Sequence, residues 1–222
     1  MIPWLLSVVM SGALAQETVD IGVLKDSDIQ VVQKLLYSKS GKTELGLQLG
    51  YMPFDFATKT PNAQVSLTLH RSETLALDAV IGAGWGLTSR TYRELEGPRY
   101  GIAYYAYRYL GSALVGAQWA PIYGKSSLSY RKVLHHDVYG ALRGGVTAES
   151  SIIPTGGLSR LALCPTVSAA AGVRVWLNPK QALRFEFRDD FALQRQVLTE
   201  TWKLKQNVNL LVGLTLWGGK DS

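Results

Sequence analysis

Three groups of residues in this chain are of types that do chemistry, and each asks for a different setting. His135, His136 and Asp137 follow one another, with Ser127 and Ser129 just before them. A serine, a histidine and an acid brought together make an activated nucleophile. Neighbours on an extended strand point to opposite faces, however, so the two histidines cannot enter one site, either as a base pair or as metal ligands. No G-x-S-x-G elbow occurs either. Gly41-Lys42-Thr43 and Gly124-Lys125-Ser126 resemble the end of a phosphate loop, but Leu36 and Trp119 stand where its first glycine is required. The expectation is therefore no catalytic residue, no metal site and no cofactor.

The third group is a set of charges spread along the chain: Glu44, Asp78, Asp137, Arg143, Arg174, Arg184, Glu186, Arg188 and Asp190. Acids and arginines confined to a dry interior must pair, so these residues either form a salt-bridge network or line a path for an ion or solute. A packed polar core is the expectation.

The elements that would position these charges are strands. From Thr43 onward, apolar and polar residues alternate with period two, which sends successive side chains to opposite faces. Segments 43–51, 64–70, 74–85, 109–121, 137–146, 167–177, 183–190 and 207–217 all follow this pattern, with step lost at Asp189. Most runs are longer than the ~5 to 6 residues usual in soluble sheets and near the ~9 to 11 that cross a bilayer at a tilt. Their polar rows are rich in Gly and Ala, as a narrow barrel interior requires. A midplane arginine facing lipid would cost roughly 2 to 4 kcal/mol, so the charged rows belong inside and the apolar rows outside. The fold expected is an all-β, antiparallel, up-and-down transmembrane β-barrel of about eight strands.

Tight turns at Arg71-Ser72 and Asn178-Pro179-Lys180 alternate with long links near 87–108, 147–160 and 195–206, as short periplasmic turns and long extracellular loops do. Two links break the pattern: 57–62 is short for an outer loop and 122–131 is long for an inner turn. Tyr51, Trp85, Tyr107, Tyr109 and Trp119 are expected in interfacial aromatic girdles, the last three on one lipid-facing row of odd positions from 103 to 119.

The chain has 222 residues and a net charge of +6, all of it beyond residue 15. Residues 1–15 carry a short apolar run ending in Ala13-Leu14-Ala15, a signal-peptide pattern too short to span a bilayer as a helix. The expected organisation is a signal peptide at 1–15, a periplasmic segment at 16–42, an outer-membrane barrel at 43–218 and a tail at 219–222. Export makes lipid phosphates, including those of lipopolysaccharide, the expected counter-charges in place of nucleic acid. Arg90, Arg93, Arg99 and Arg108 would meet them from the loop at 88–108, and loops 88–108 or 147–160 would meet a protein partner. The single cysteine, Cys164, cannot form an intramolecular disulfide and is expected in packing.

Val31-Val32-Gln33-Lys34-Leu35-Leu36-Tyr37-Ser38-Lys39-Ser40-Gly41-Lys42-Thr43-Glu44-Leu45 resembles the opening of the myxobacterial-type outer-membrane β-barrel domain family. So do Ala120-Pro121-Ile122-Tyr123-Gly124-Lys125, the following His136-Asp137-Val138-Tyr139, and Phe187-Arg188-Asp189. The resemblance spans about 30–218 and implies a small OmpA/OmpX-like barrel in the bacterial outer membrane, with no established activity. Trp217 departs from the aromatic terminus of many such barrels, because Gly218-Gly219-Lys220-Asp221-Ser222 follows it. The expected role is a non-enzymatic membrane protein, structural or partner-binding, with a largely closed lumen. The alternatives are a lipid-modifying barrel enzyme, a narrow solute channel, and a soluble lipocalin-like barrel whose apolar rows would turn inward.

Overall fold

A computed structural model of the chain describes residues 37–102, 106–129, 132–152, 160–195 and 201–219. The expected signal peptide, and the periplasmic segment as far as residue 36, lie outside the described residues. The elements in order are β1 (Thr43–Met52), β2 (Thr58–His70), β3 (Leu75–Gly84), β4 (Leu87–Thr88), α1 (Arg90–Glu96), β5 (Ala106–Ser129), β6 (Lys132–Ile152), β7 (Leu161–Asn178), β8 (Gln181–Arg195) and β9 (Trp202–Gly218). All pairings are antiparallel, in the spatial order β1-β9-β8-β7-β6-β5-β3-β2, and β2 pairs back onto β1. Thr43 lies opposite Leu69 on one side and Gly218 on the other, so the sheet closes into an eight-stranded barrel. The two-residue β4 adds only a short pairing to the outer end of β2.

Closure leaves no lateral edge and gives each strand one lumen face and one outer face. The alternation read from the sequence decides which is which. Leu47 is 62 % exposed and Ile81 69 % exposed, while Glu44, Arg174 and Arg184 are fully buried. Outward rows of Leu, Val, Phe and Ala run around the barrel, an apolar surface far beyond what a soluble monomer carries. The lipocalin-like alternative required the opposite facing.

Turn chemistry fixes the registers at one end, here the turn end. The Ser72 hydroxyl accepts the N–H groups of Thr74 and Leu75, tying β2 to β3. Asn178 accepts the Lys180 N–H across the Pro179 turn between β7 and β8. At the opposite, outer end lie the links β1–β2, β3–β5, β6–β7 and β8–β9. The longest of these carries α1, which Ser89 caps by accepting the Tyr92 N–H at 3.0 Å. Tyr92 is buried with Ala57 and Ala106, so the helix is docked onto the barrel's outer end.

Several boundaries differ from the expectation. Residues 122–129 are not a long inner turn but the continuation of β5, which is 24 residues long and pairs with a 21-residue β6. The largely polar run Gly124–Ser127 hid this strand by breaking the apolar row that marks the others. Thr58–Pro61, Thr147–Ile152 and Trp202–Gln206 likewise belong to strands rather than loops. In β8 the alternation does not fail at Asp189. That residue simply faces outward, between buried Arg188 and buried Asp190, and accepts from Gln206 of β9.

Candidate functional site

The lumen is where this sequence concentrates its chemistry. On an eight-stranded barrel, inward residues of neighbouring strands converge on one axis, so ions distant in sequence meet. Arg143 of β6 bridges Asp78 of β3 at 2.6 Å and Glu186 of β8 at 2.9 Å. Arg184 reaches Glu186 at 2.6 Å and Glu44 of β1 at 3.4 Å. Arg174 of β7 binds Glu44 and, at 3.1 Å, Asp137 of β6. One connected network thus joins β1, β3, β6, β7 and β8. Arg188 and Asp190 pair separately at 3.2 Å, further toward the outer end of β8, and Arg188 also donates to Gln64. All nine charges read from the sequence line this interior.

Tyr139 is the network's neutral centre. Its ring has the guanidinium carbons of Arg174 and Arg184 each 4.7 Å from its centroid, so cation–π attraction supplements the ion pairs. Its hydroxyl donates to Glu186 at 2.8 Å and accepts from Arg184 at 2.6 Å. Gly172 on the adjacent strand makes room for that ring: a Cβ there would collide with the tyrosine hydroxyl and the Phe185 carbonyl.

The turn end is sealed by residues just before β1 and by aromatic rings. Lys39 is buried and places its Nζ 2.8 Å from Asp137. His70 lies 3.1 Å from Glu44 and stacks on Trp217, which packs against Trp176. Tyr37 stacks on Trp176 and meets His135 edge-on, while the Tyr123 hydroxyl lies 2.8 Å from His135 Nδ1. Glu73, in the β2–β3 turn, fastens this cover by accepting the N–H groups of Lys39 and Ser40 and the Ser38 hydroxyl. Burial alone would raise the Glu73 carboxyl's pKa, but these donors and the Lys39 charge hold it below the ordinary carboxylate value.

The outer half of the lumen is filled mainly by neutral amides and hydroxyls. Gln64 donates to Gln48 at 2.6 Å, and Asn62 donates to Asn209 at 3.0 Å. Thr166 donates to Thr147 at 2.8 Å. The Arg188–Asp190 pair lies among them, and a second charged cluster sits above, where Lys205 of β9 lies 3.2 Å from Glu149 and 3.5 Å from Asp55 in the β1–β2 link. Cys164 is buried on this inner face.

Three of the five expected girdle aromatics, Tyr51, Trp85 and Trp119, are exposed on the outer face. Trp119 lies opposite Leu75 at the turn end of β3 and Trp85 follows that strand at its outer end, so the pair brackets an apolar row about as long as a bilayer crossing. Tyr109 and Tyr107 correct the expectation. A register shift between Tyr109 and Gly111 reverses the parity of β5, so Tyr109 turns into the lumen and bonds Ser112 at 2.9 Å. Gly84 leaves the space its ring fills. Tyr107 shares that reversed parity, opposite the inward-facing Ser151. Bulges are invisible to a count of odd and even positions.

His135 and His136 fall on opposite faces, His135 buried against Tyr123 and His136 across Gly124. Among the described residues no three His, Cys, Asp or Glu side chains are grouped to hold a metal ion. The side chains of Ser127 and Ser129 lie outside the described residues. Sequence reasoning missed Lys39, His70, Tyr139, Gln64, Glu149 and Lys205 as members of the lumen. The polar rows carried Gln64, His70 and Tyr139 in plain view, whereas nothing about Lys39 marks it as buried.

Neither a family model nor a curated relative matches the sequence. Solved structures do match the fold. Neisserial surface protein A is 12 % identical, with a TM-score of 0.52 over 79 % of this chain and 95 % of that one. The N-terminal β-barrel domain of Pseudomonas aeruginosa OprF is 9 % identical, with a TM-score of 0.50 over 81 % of this chain and 98 % of that one. At such identities the likeness concerns fold alone, and the fold that these chains share is a small transmembrane-type β-barrel.

Proposed function

We propose that this chain is an integral protein of the bacterial outer membrane, structural or partner-binding, with no catalytic role and a lumen closed to free passage. The carrying observation is the inversion of a soluble protein's polarity. Ionised groups are buried and paired inside, while leucine, valine and phenylalanine rows face out around the barrel. In water those rows would drive aggregation, and in hydrocarbon they are the solvent-matched surface. The likeness to a Neisserial surface protein and to the OprF barrel supports the placement.

Loop lengths favour a periplasmic turn end and an extracellular outer end. On this reading residues 1–15 direct export, and the arginines of the β3–β5 link face lipopolysaccharide or a protein partner. The closed lumen argues against a solute channel, because the Lys39, Arg174, Arg184 and Arg143 pairs cross the bore from five strands and the segment before β1. Fractionation with a gel-shift assay tests the placement. The protein should remain with outer membranes and migrate compactly until boiled, and recovery in the soluble periplasm would overturn the reading.

A further inference from the structure

Arg108 stands apart from the arginines of the lumen. It precedes the register shift in β5 and so points outward, opposite Ser150, at the outer end of the apolar band. Its guanidinium carbon lies 5.7 Å from the centroid of the Trp85 ring, which is itself 63 % exposed. Among the described residues no carboxylate pairs with it, and its Nε is buried without a hydrogen-bond partner. Every arginine described inside the lumen, by contrast, has an acid. An unpaired cation held on a tryptophan at the lipid boundary is costly unless an anion from the lipid completes it.

We propose that Trp85 and Arg108 form a binding site for a phosphate group of an outer-leaflet glycolipid. This rests on the membrane placement above, since Trp85 marks the outer boundary only in a barrel that spans the bilayer. Cation–π attraction to the tryptophan face holds the guanidinium, leaving its two terminal Nη groups to donate to phosphate oxygens as a fork, a geometry lysine cannot reproduce. Arg90, Arg93 and Arg99, in and just after the α1 link, add positive potential beyond the boundary. Arg90 pairs with Glu94 and Arg99 lies over Tyr100, both in the link beyond the apolar band, whereas Arg108 stands at the band's edge. Commitment to glycolipid follows from position: the site lies at the outer end, away from the turn end and its leaflet.

The test uses the full-length protein purified in detergent, with lipid retention read by native mass spectrometry. Three probes are compared: bisphosphorylated lipid A, chemically dephosphorylated lipid A and phosphatidylglycerol. The native chain should retain bisphosphorylated lipid A about tenfold better than either of the others, as expected for one charge-assisted contact. Arg108→Gln should abolish that preference and Arg108→Lys should recover only part of it. Compact migration of each variant before boiling shows that the barrel is intact, so a failed barrel reading is told apart from a failed site. Equal retention by the native chain and Arg108→Gln, or a preference for phosphatidylglycerol, would overturn the proposal.

Discussion

The two halves of the lumen are closed by different chemistry. Toward the turn end, Glu44, Asp78, Asp137, Glu186, Arg143, Arg174 and Arg184 interlock, and Lys39, Trp176 and Trp217 cover them. Toward the outer end, the bore is occupied largely by Gln48, Gln64, Asn62, Asn209, Thr147 and Thr166 around the single Arg188–Asp190 pair, with Lys205 and Glu149 above. A buried ion with its partner removed leaves an uncompensated charge, whereas a buried amide pair can be exchanged for apolar groups at little cost. The turn-end half should therefore be intolerant of single changes, and the outer half permissive.

The largest expected effect is at the network's centre. Arg184→Ala leaves Glu44 to Arg174 and Glu186 to Arg143, puts the buried network one negative charge in excess and removes one cation from Tyr139, and should destabilise the barrel by about 3 to 5 kcal/mol in urea titrations followed by gel mobility. A loss below about 1 kcal/mol would mean that water reaches these ions. Gly172→Val comes next. By driving Tyr139 from between its arginines it should cost about 1 to 3 kcal/mol, and the same exchange at Gly144, where a Cβ meets nothing, should cost far less.

In the outer half, Asn62→Ala should lose about 1 kcal/mol by orphaning Asn209, and Asn62→Val with Asn209→Val together should restore most of it. A double variant worse than the sum of the singles would erase the contrast between the halves. The smallest effect concerns acid. Glu73 has a depressed pKa in the fold, so its contribution is fully present above the ordinary carboxylate range and fades as pH falls through the folded value. Because the group is largely solvated, the change should be roughly 0.5 kcal/mol or less. Protection of the residue 38–40 amides, taken relative to their intrinsic exchange rate at each pH, should fall as the native chain is acidified below the ordinary carboxylate range and be low throughout in Glu73→Gln.

Much of this was legible because a strand's period of two is the most direct pattern a sequence carries. The rows of Leu45, Leu47 and Leu49 against Glu44 and Gln48 give both the strand and its facing. What escaped did so for physical reasons. The Tyr109–Gly111 shift changes parity without any turn residue to announce it. Strand extensions beyond the bilayer, such as 122–129, lose the apolar row that marks a strand at all. Lys39 is buried because Glu73 pulls its segment across the mouth, a tertiary cause that no local window contains. Charges in the lumen could be named from their row, but their partners depend on how eight strands converge.

The most direct measurement of the closed, membrane-spanning lumen is conductance of the purified protein in a planar lipid bilayer, native chain against Arg184→Ala. The native protein should insert, as judged by protection of its strands from protease, and stay electrically silent across the bilayer. Stable unitary current steps from the native chain would contradict a closed lumen.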